Sequence, residues 1–250
     1  MDDSPQTTPP PYDYSIYYGR FHNDSEEHAT EAAAWVQKIL EPHMPKDRSV
    51  PVIDIGCGFG FALRALRSLG YQNLTGLEVS AEQAERCRKA GFEIVTTENT
   101  IEWLKQNPGR FAQAILLDVL EHVPAPLQID FLRAVIGALR PGGKVLLTVP
   151  NANAILFGRW RYNDYTHFSS FTEHSLYFVL KNAGFETIWI DSTKGIDRFP
   201  RRLWRRGAWP AARKWLVRWC WLQVFKAELP HERIDEISFE LNLKAVATKQ

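Results

Sequence analysis

The stretch Val50–Gly60, VPVIDIGCGFG, decides the fold of this chain. Its apolar residues predict a buried strand, and the apolar spacing of the next segment, FALRALRSLG, predicts an amphipathic helix. The turn between them contains three glycines at alternate positions: Gly56, Gly58 and Gly60. Glycine permits a tight turn and a close ligand approach, and the start of a helix offers backbone N–H groups that have no partner within the helix. A strand, a glycine turn and a helix in this order therefore predict a ligand-binding loop.

The rest of the chain alternates between strand and helix patterns. Strands are predicted at LTGLEV, FEIVT, FAQAILLD, KVLLTV, FETIWID and ISFELNLKAVATK, and helices at AEQAERCRKAG, TIEWLKQN, about 126–139 and 172–182. Such alternation with short links predicts an α/β fold with a doubly wound, mostly parallel, seven-stranded sheet. The polar alternation of the last strand predicts that it lies at a sheet edge. Pro210 is expected to divide the segment before this strand into two short helices.

The patterns divide the chain into four parts. Residues 1–48 form an N-terminal tail and cap helix, 49–197 the core, 198–232 a helical insertion, and 233–250 the final edge strand. The 250 residues, 45% of them hydrophobic, suffice for a sizeable core. The three cysteines are widely spaced and the N-terminus shows no apolar signal segment, so we expect a cytoplasmic protein in a reducing compartment.

Acidic residues lie near the carboxyl ends of the first four predicted strands, where open α/β sheets bind ligands. Asp54 in the first strand is expected to orient the glycine loop. Glu78 closes the second strand, where its carboxylate can accept hydrogen bonds from two ribose hydroxyls. Glu98 follows the third strand, and Asp118 ends the fourth in the string DVLEHV.

These features together resemble a known enzyme family. A dinucleotide fingerprint, G-x-G-x-x-G, would need glycine at position 61, which is Phe61. The observed G-x-G-x-G, with DVLEHV and LRPGGKVLLTVPN, resembles the class I S-adenosylmethionine (SAM) methyltransferases over about residues 17–191. The resemblance implies a Rossmann-like fold, SAM as cofactor, and an adenine contact at Glu98, although this family usually shows Gly-Asp where the chain has Thr97-Glu98. The implied cofactor-binding residues are Asp54, Gly56, Gly58, Gly60, Glu78, Glu98, Asp118, Tyr17 and Tyr18.

The tyrosines belong to YDYSIYYGRF, which is similar to a lead-in whose aromatic residue closes over the cofactor in many relatives. Packing of this segment on the sheet is the alternative role.

Methyl transfer to an alcohol benefits from a base, because an alcohol does not ionise unaided. His167 is the first candidate, with Asp164 as its orienting partner, in the RYNDYTHFSSFTEHSL loop after the fifth strand. His122, expected at the start of the helix after the fourth strand, is the second. The alternative is that Asp164 and His167 only brace their loop. The same residue types suit a divalent metal, but no compact ligand spacing is present, so direct base catalysis is favoured.

The acceptor is indicated by a narrower resemblance. The loop after the fifth strand resembles that of bacterial methyltransferases of cell-surface polysaccharide biosynthesis, where a D-[YF]-T-H…F-T string precedes the next helix. This implies a carbohydrate acceptor: a sugar hydroxyl of a surface glycan, or of its lipid-linked or nucleotide-linked precursor. A prenylated quinone-type phenol or another small metabolite is the alternative acceptor. The non-enzymatic alternative is a SAM-fold protein that binds a membrane or partners.

Residues 198–226 concentrate positive charge. This segment holds nine Lys/Arg, five tryptophans and no acidic residue, whereas the remainder of the chain has 21 basic and 29 acidic residues. Tryptophan and arginine on an interfacial helix predict docking to an anionic membrane surface, as a peripheral protein at the inner face. A substrate lid is the second interpretation, and nucleic-acid binding is the least favoured.

Overall fold

A computed structural model of the chain describes residues 25–191, 208–234 and 237–250. The predicted cofactor residues Tyr17 and Tyr18 lie outside these ranges. The strands are β1 Val52–Ile55, β2 Leu74–Glu78, β3 Glu93–Thr96, β4 Phe111–Leu117, β5 Leu139–Pro150, β6 Thr187–Ile190 and β7 Asn242–Thr248. The α-helices are α1 Glu26–Leu40, α2 Phe61–Ser68, α3 Ala81–Lys89, α4 Thr100–Lys105, α5 Gln128–Ala138, α6 Phe157–Asn163, α7 Glu173–Ala183 and α8 Ala208–Glu228.

The strands form one sheet in the order β3-β2-β1-β4-β5-β7-β6. The first five strands pair in parallel, and β7 pairs antiparallel with both β5 and β6. The Rossmann-like doubly wound prediction is therefore confirmed. Because the chain leaves β1 for β2 on one side and later returns to β4 on the other, the carboxyl ends of β1 and β4 flank the topological switch point.

The expectation that the last strand lies at an edge is wrong. β7 is interior, and β6 forms the edge. The alternation of β7 has another cause: Leu243, Ala245 and Ala247 are fully buried against the α5 and α7 side of the sheet, whereas the residues between them are only partly covered. A half-covered interior strand and an edge strand therefore share one sequence pattern.

Two hydrophobic clusters hold the helices on the two faces of the sheet. One includes residues of α4, α5 and α7, and the other includes residues of α1, α2 and α3. Helix α1 starts at the N-cap Ser25 and buries Val36 and Leu40. Its bidentate ion pair from Arg64 to Glu26, with N–O distances of 2.9 and 3.1 Å, is exposed, and such pairs contribute only about 0–1 kcal/mol. Apolar packing therefore holds α1 beside the glycine loop.

The helical insertion also differs from expectation. Its described part is one helix, α8, with Pro210 at the third position. Proline is tolerated there because N–H groups of the first turn have no partner within the helix, so Pro210 does not divide the described segment. The preceding residues of the insertion, up to 207, lie outside the described ranges. Within the described residues, no helix is long and apolar enough to cross a membrane.

Candidate active site

A cavity of about 310 Å³ lies at the switch point of the sheet. The glycine loop after β1 and the segment after β4 form its floor, α1 forms one wall, and α6 with the following loop forms another. It is lined by Ala32, Trp35, Val36, Ile39, Asp54, Gly56, Cys57, Gly58, Phe59, Phe61, Ala62, Leu117, Asp118, Glu121, His122, Thr148, Trp160, Asn163, Asp164 and His167. Four of the predicted cofactor residues and all three predicted catalytic residues thus line one cavity; the four are Asp54, Gly56, Gly58 and Asp118.

The glycine loop needs glycine for its backbone and for space. All three glycines have positive φ, 69°, 51° and 74° in chain order. A Cβ atom on Gly56 would lie 2.8 Å from a methyl group of Val119, closer than carbon atoms pack. Glu78 braces the loop from the end of β2, because its carboxylate accepts hydrogen bonds from the N–H of Gly58 at 2.8 Å and of Ser80 at 2.9 Å. Glu78 is buried and does not line the cavity itself.

Asp54 brings an unpartnered carboxylate oxygen to this loop. The residue is 2% exposed, lines the cavity, and has no hydrogen-bond partner for Oδ2 among the described residues. Burial, with a smaller contribution from the Glu78 charge, raises the pKa of Asp54 to about 8. An orphaned oxygen beside three tight glycines fits a cofactor that carries hydroxyl or ammonium groups, as SAM does.

Of the other predicted cofactor residues, Asp118 lies in the cavity and Glu98 lies outside it. Asp118 lines the cavity, and its Oδ1 accepts hydrogen bonds from Thr148 Oγ1 at 2.9 Å and from Asn242 Nδ2 at 2.8 Å. Its φ of 55° makes it the one non-glycine residue with positive φ in the described part of the chain. Glu98 is exposed and does not line the cavity, so its predicted adenine contact stays a prediction.

His122 belongs to a hydrogen-bonded row that sequence reasoning did not anticipate. It lies in a short 3-10 turn, Leu120–His122, rather than at the start of α5. Its Nδ1 lies 2.8 Å from Thr166 Oγ1, and that hydroxyl donates to Asp164 Oδ1 at 2.6 Å. Burial, followed by the nearby His167 ring, lowers the pKa of His122 to about 4. The imidazole is therefore neutral at pH 7 and can accept a proton.

The predicted orienting role of Asp164 toward His167 stays a prediction, because the two side chains face each other without a hydrogen bond. Asp164 Oδ2 lies 3.9 Å from His167 Nε2, beyond hydrogen-bond distance, and Asp164 is engaged by Thr166 instead. His167 is nearly buried, its Nδ1 has no partner among the described residues, and burial lowers its pKa. Its ring meets His122 edge to face, with centroids 4.6 Å apart.

Glu121 completes the cluster. It is fully buried, neither carboxylate oxygen has a partner among the described residues, and burial raises its pKa well above the ordinary value. Glu121, His122 and His167 each offer a donor atom, and these three atoms lie within 4.8 Å of one another. Two imidazoles and a carboxylate form a donor set that suits a divalent transition-metal ion. The sequence shows no compact spacing of metal ligands because Glu121 and His122 follow β4, whereas His167 lies in the loop after α6.

Among the side chains that sequence reasoning missed, Trp35 lines the cavity and Thr166 contacts the cavity-lining residues His122 and Asp164. Trp35 lies on α1 and is 61% exposed, but α1 carries no motif, and only its docking brings Trp35 to the cavity. Thr166 has a sequence signal in the D-Y-T-H string, but only the aspartate and the histidine of that string are predicted catalytic residues.

A family model for a methyltransferase domain matches residues 25–189, well over half of the chain. Among curated proteins, the ubiquinone biosynthesis O-methyltransferase of Serratia proteamaculans is 33% identical over 107 residues. That match covers 41% of this chain and 43% of the relative, so it spans less than half of either protein.

Solved structures show the same fold at low identity. A SAM-dependent methyltransferase from Archaeoglobus fulgidus gives a TM-score of 0.68 at 17% identity, over 95% of this chain and 100% of that one. The phosphoethanolamine N-methyltransferase 2 of Haemonchus contortus, in complex with SAM, gives 0.56 at 19% identity, over 93% of this chain and 56% of that one.

Proposed function

The chain belongs to the methyltransferase-domain family, and from this premise we propose that it methylates the phenolic hydroxyl of a prenylated quinone-type acceptor. The protein is a SAM-dependent methyltransferase with a Rossmann-like fold. The acceptor is the proposed part. The partial match to ubiquinone biosynthesis O-methyltransferases supports this quinone alternative over the glycan acceptor that the loop resemblance implied.

One observation carries the proposed chemistry. The glycine loop and the two imidazoles of His122 and His167 line the same cavity. A methyl donor held by the loop and an acceptor hydroxyl beside an imidazole would therefore meet without either leaving the cavity. Bringing the reacting groups together in this way is itself a large part of catalysis.

When bound, SAM would supply an electrophilic methyl group on a sulfonium, whose sulfur–carbon bond to that methyl group would break as the new oxygen–carbon bond forms, so that the sulfur leaves as a neutral thioether. In the proposed mechanism the glycine loop, braced by Glu78, and the Asp54 carboxyl hold the donor. Neutral His122 accepts the proton of the acceptor hydroxyl as the oxygen–carbon bond forms. His122 takes this role ahead of His167 because its other ring nitrogen is held by Thr166 and, through it, by Asp164.

The low pKa of His122, about 4, bears on the acceptor. A weak base assists best when the proton it removes is already acidic. A phenol has a pKa of about 10, as in tyrosine, whereas a sugar hydroxyl is far less acidic. Two exposed apolar side chains that line the cavity, Trp35 and Trp160, fit a prenyl chain.

We also propose that helix α8 docks on an anionic membrane surface, where a prenylated acceptor would reside. Ala212 and Arg218 of α8 pack against the body of the protein, with Arg218 ion-paired to Glu240 at 2.6 Å. The opposite side presents exposed apolar residues, among them Trp209 (66%) and Leu216 (53%), although a water-facing side is normally polar. The basic composition of residues 198–226 complements anionic headgroups.

The acceptor assignment is tested by incubating the full chain with SAM and a panel of acceptors, followed by mass spectrometry for an added methyl group. The panel contains a prenylated catechol, the same catechol without its prenyl chain, a lipid-linked sugar and a nucleotide sugar. We expect methylation of the catechols, with the prenylated one giving the higher kcat/KM. Methylation of the sugars alone would move the assignment to glycans.

A chelator arm separates base catalysis from metal catalysis. Under the proposed mechanism EDTA leaves turnover unchanged. A loss of turnover that added Mn²⁺, Zn²⁺ or Mg²⁺ restores would instead assign Glu121, His122 and His167 to a metal ion and overturn direct base catalysis.

A further inference from the structure

We propose that Thr166 is a positioning residue that fixes the tautomer of His122, so that the Nε2 atom of this imidazole carries the lone pair that accepts the proton. This inference rests on the proposed function, because it assigns His122 as the base. It concerns a residue that is not among the predicted catalytic or cofactor-binding residues, and it follows from the hydrogen bonds around one hydroxyl group.

The Thr166 hydroxyl has a single proton and two close neighbours. Its Oγ1 lies 2.6 Å from Asp164 Oδ1 and 2.8 Å from His122 Nδ1. The backbone N–H of Thr166 donates to the same Asp164 oxygen at 2.8 Å, which holds the carboxylate in place. Both contacts have ordinary hydrogen-bond lengths, so the direction of each bond can be worked out from the donors and acceptors present.

Asp164 Oδ1 accepts hydrogen bonds from both the backbone N–H and the hydroxyl of Thr166, so the Thr166 hydroxyl proton points toward Asp164. The hydroxyl oxygen then has only lone pairs to offer His122. The 2.8 Å contact is therefore a bond from His122 Nδ1–H to Thr166 Oγ1, and the backbone carbonyl of the same threonine is a second hydrogen-bond acceptor for this imidazole. Because a neutral imidazole has one N–H group, its Nε2 atom is unprotonated and can act as the base.

The same row of bonds supports the charge that forms during the reaction. When His122 gains a proton at Nε2, the Nδ1–H bond to Thr166 strengthens, and the negative Asp164 lies directly behind it. Asp164 has 4% of its surface exposed, so this interaction is weakly screened by water. Asp164 thus acts on His122 through Thr166, whereas its contact with His167 at 3.9 Å is electrostatic and involves no hydrogen bond.

The first test needs no acceptor. Two-bond ¹H–¹⁵N NMR spectra of the full chain, labelled with ¹⁵N-histidine, report which ring nitrogen of His122 is protonated, with His122→Asn identifying the signal. We expect Nδ1–H in the wild type and in Thr166→Ser. In Thr166→Val the spectrum should move toward Nε2–H, the tautomer that neutral imidazole prefers in water. Nε2–H in the wild type, or no change in Thr166→Val, would overturn the proposal.

The second test is kinetic. Thr166→Val should lower kcat on the order of 10-fold, part of the roughly 10²–10⁴-fold that a general base contributes, with acceptor KM and SAM affinity within about twofold. Thr166→Ser should restore the lost turnover. Thr187→Val, an exposed threonine on edge strand β6, is the matched control and should behave as the wild type.

The two tests separate the two levels of proposal. If the NMR result holds and no phenol is methylated, the tautomer assignment stands and the proposed acceptor fails. If phenols are methylated but Thr166→Val keeps its kcat, Thr166 has no positioning role. A parallel loss of thermal stability and SAM affinity in both Thr166 variants would reduce the residue to a purely structural one.

Discussion

At the scale of single residues, the site depends on polar groups held away from water with few partners. Asp54, Glu121 and His167 each have a buried polar atom without a hydrogen bond among the described residues. Leaving such groups unpaired costs about 1–3 kcal/mol each, so they persist where a ligand or a reaction uses them. All three line the cavity at the switch point, whereas Arg64, Gln113 and Ser170, which also have such atoms, do not line it, so the unpartnered carboxyl and imidazole groups are the ones that face the cavity.

The two histidines should contribute unequally to catalysis. His122→Asn removes the proposed base, so we expect kcat to fall by roughly 10²–10⁴-fold with SAM affinity retained. His167→Asn removes a neighbouring ring without a Thr166 bond, and we expect a loss of less than about 10-fold. Steady-state kinetics with the prenylated catechol, together with SAM titration calorimetry, measure both effects. The reverse order of losses would return His167 to the role of base that the sequence favoured.

At the scale of elements, helix α8 is apolar on two sides. Trp221 donates its Nε1–H to the Asn153 carbonyl at 3.0 Å, and the Phe225 ring meets Phe239 at 5.1 Å, so one side belongs to the folded body. No residue of the described helix lines the cavity, which argues against α8 itself as a lid. The exposed side therefore needs another explanation, and a lipid surface supplies one.

Vesicle binding tests this explanation. The full chain should co-sediment with vesicles containing anionic phosphatidylglycerol, less well with pure phosphatidylcholine, and less with rising salt. Leu216→Glu with Val217→Glu places two carboxylates on the exposed side, and we expect binding to fall at least 10-fold. Tyr177→Glu, at an exposed position of α7, is the matched control for added negative charge. Absence of binding at low salt would rule out the membrane proposal.

At the scale of the whole molecule, the buried carboxyl of Asp54 couples folding to pH. Its pKa is about 8 in the folded protein and about 3.9 in an unfolded chain, so the folded state binds one more proton between these values. The resulting stabilisation is fully present below about pH 4 and is lost as the pH rises toward about 8. Without a ligand, the buried Asp54 carboxyl therefore lowers the free energy of unfolding at neutral and alkaline pH relative to acidic pH.

Asp54→Asn should remove this dependence while preserving the shape of the side chain. Urea unfolding without SAM, at pH 5 and pH 8, measures the difference. We expect the wild type to lose roughly 3–4 kcal/mol more than Asp54→Asn over this interval. Comparison with the variant cancels the other titrating groups, and parallel pH dependences would show that Asp54 is already ionised in the folded protein.

Sequence patterns sufficed wherever a feature is local. The strand, glycine turn and helix from Val50 onward lie within one short segment, and their periodicity and spacing reflect backbone requirements that any fold must meet there. The strand–helix alternation likewise determined a doubly wound sheet. The position of β7 within the sheet could not be predicted from the sequence, because a half-covered interior strand has the same hydrophobic–polar alternation as an edge strand.

By itself, the sequence therefore determined the fold class, the glycine loop and the assignment to the SAM-type methyltransferase family, because each depends on patterns within short runs of contiguous residues. The tertiary structure alone decided how the catalytic groups meet. His122 and Thr166 are 44 positions apart, and only the packing of the 160s loop against the end of β4 brings them to 2.8 Å. Side-chain hydrogen bonds of this kind depend on distances of a few tenths of an ångström, which no sequence period encodes.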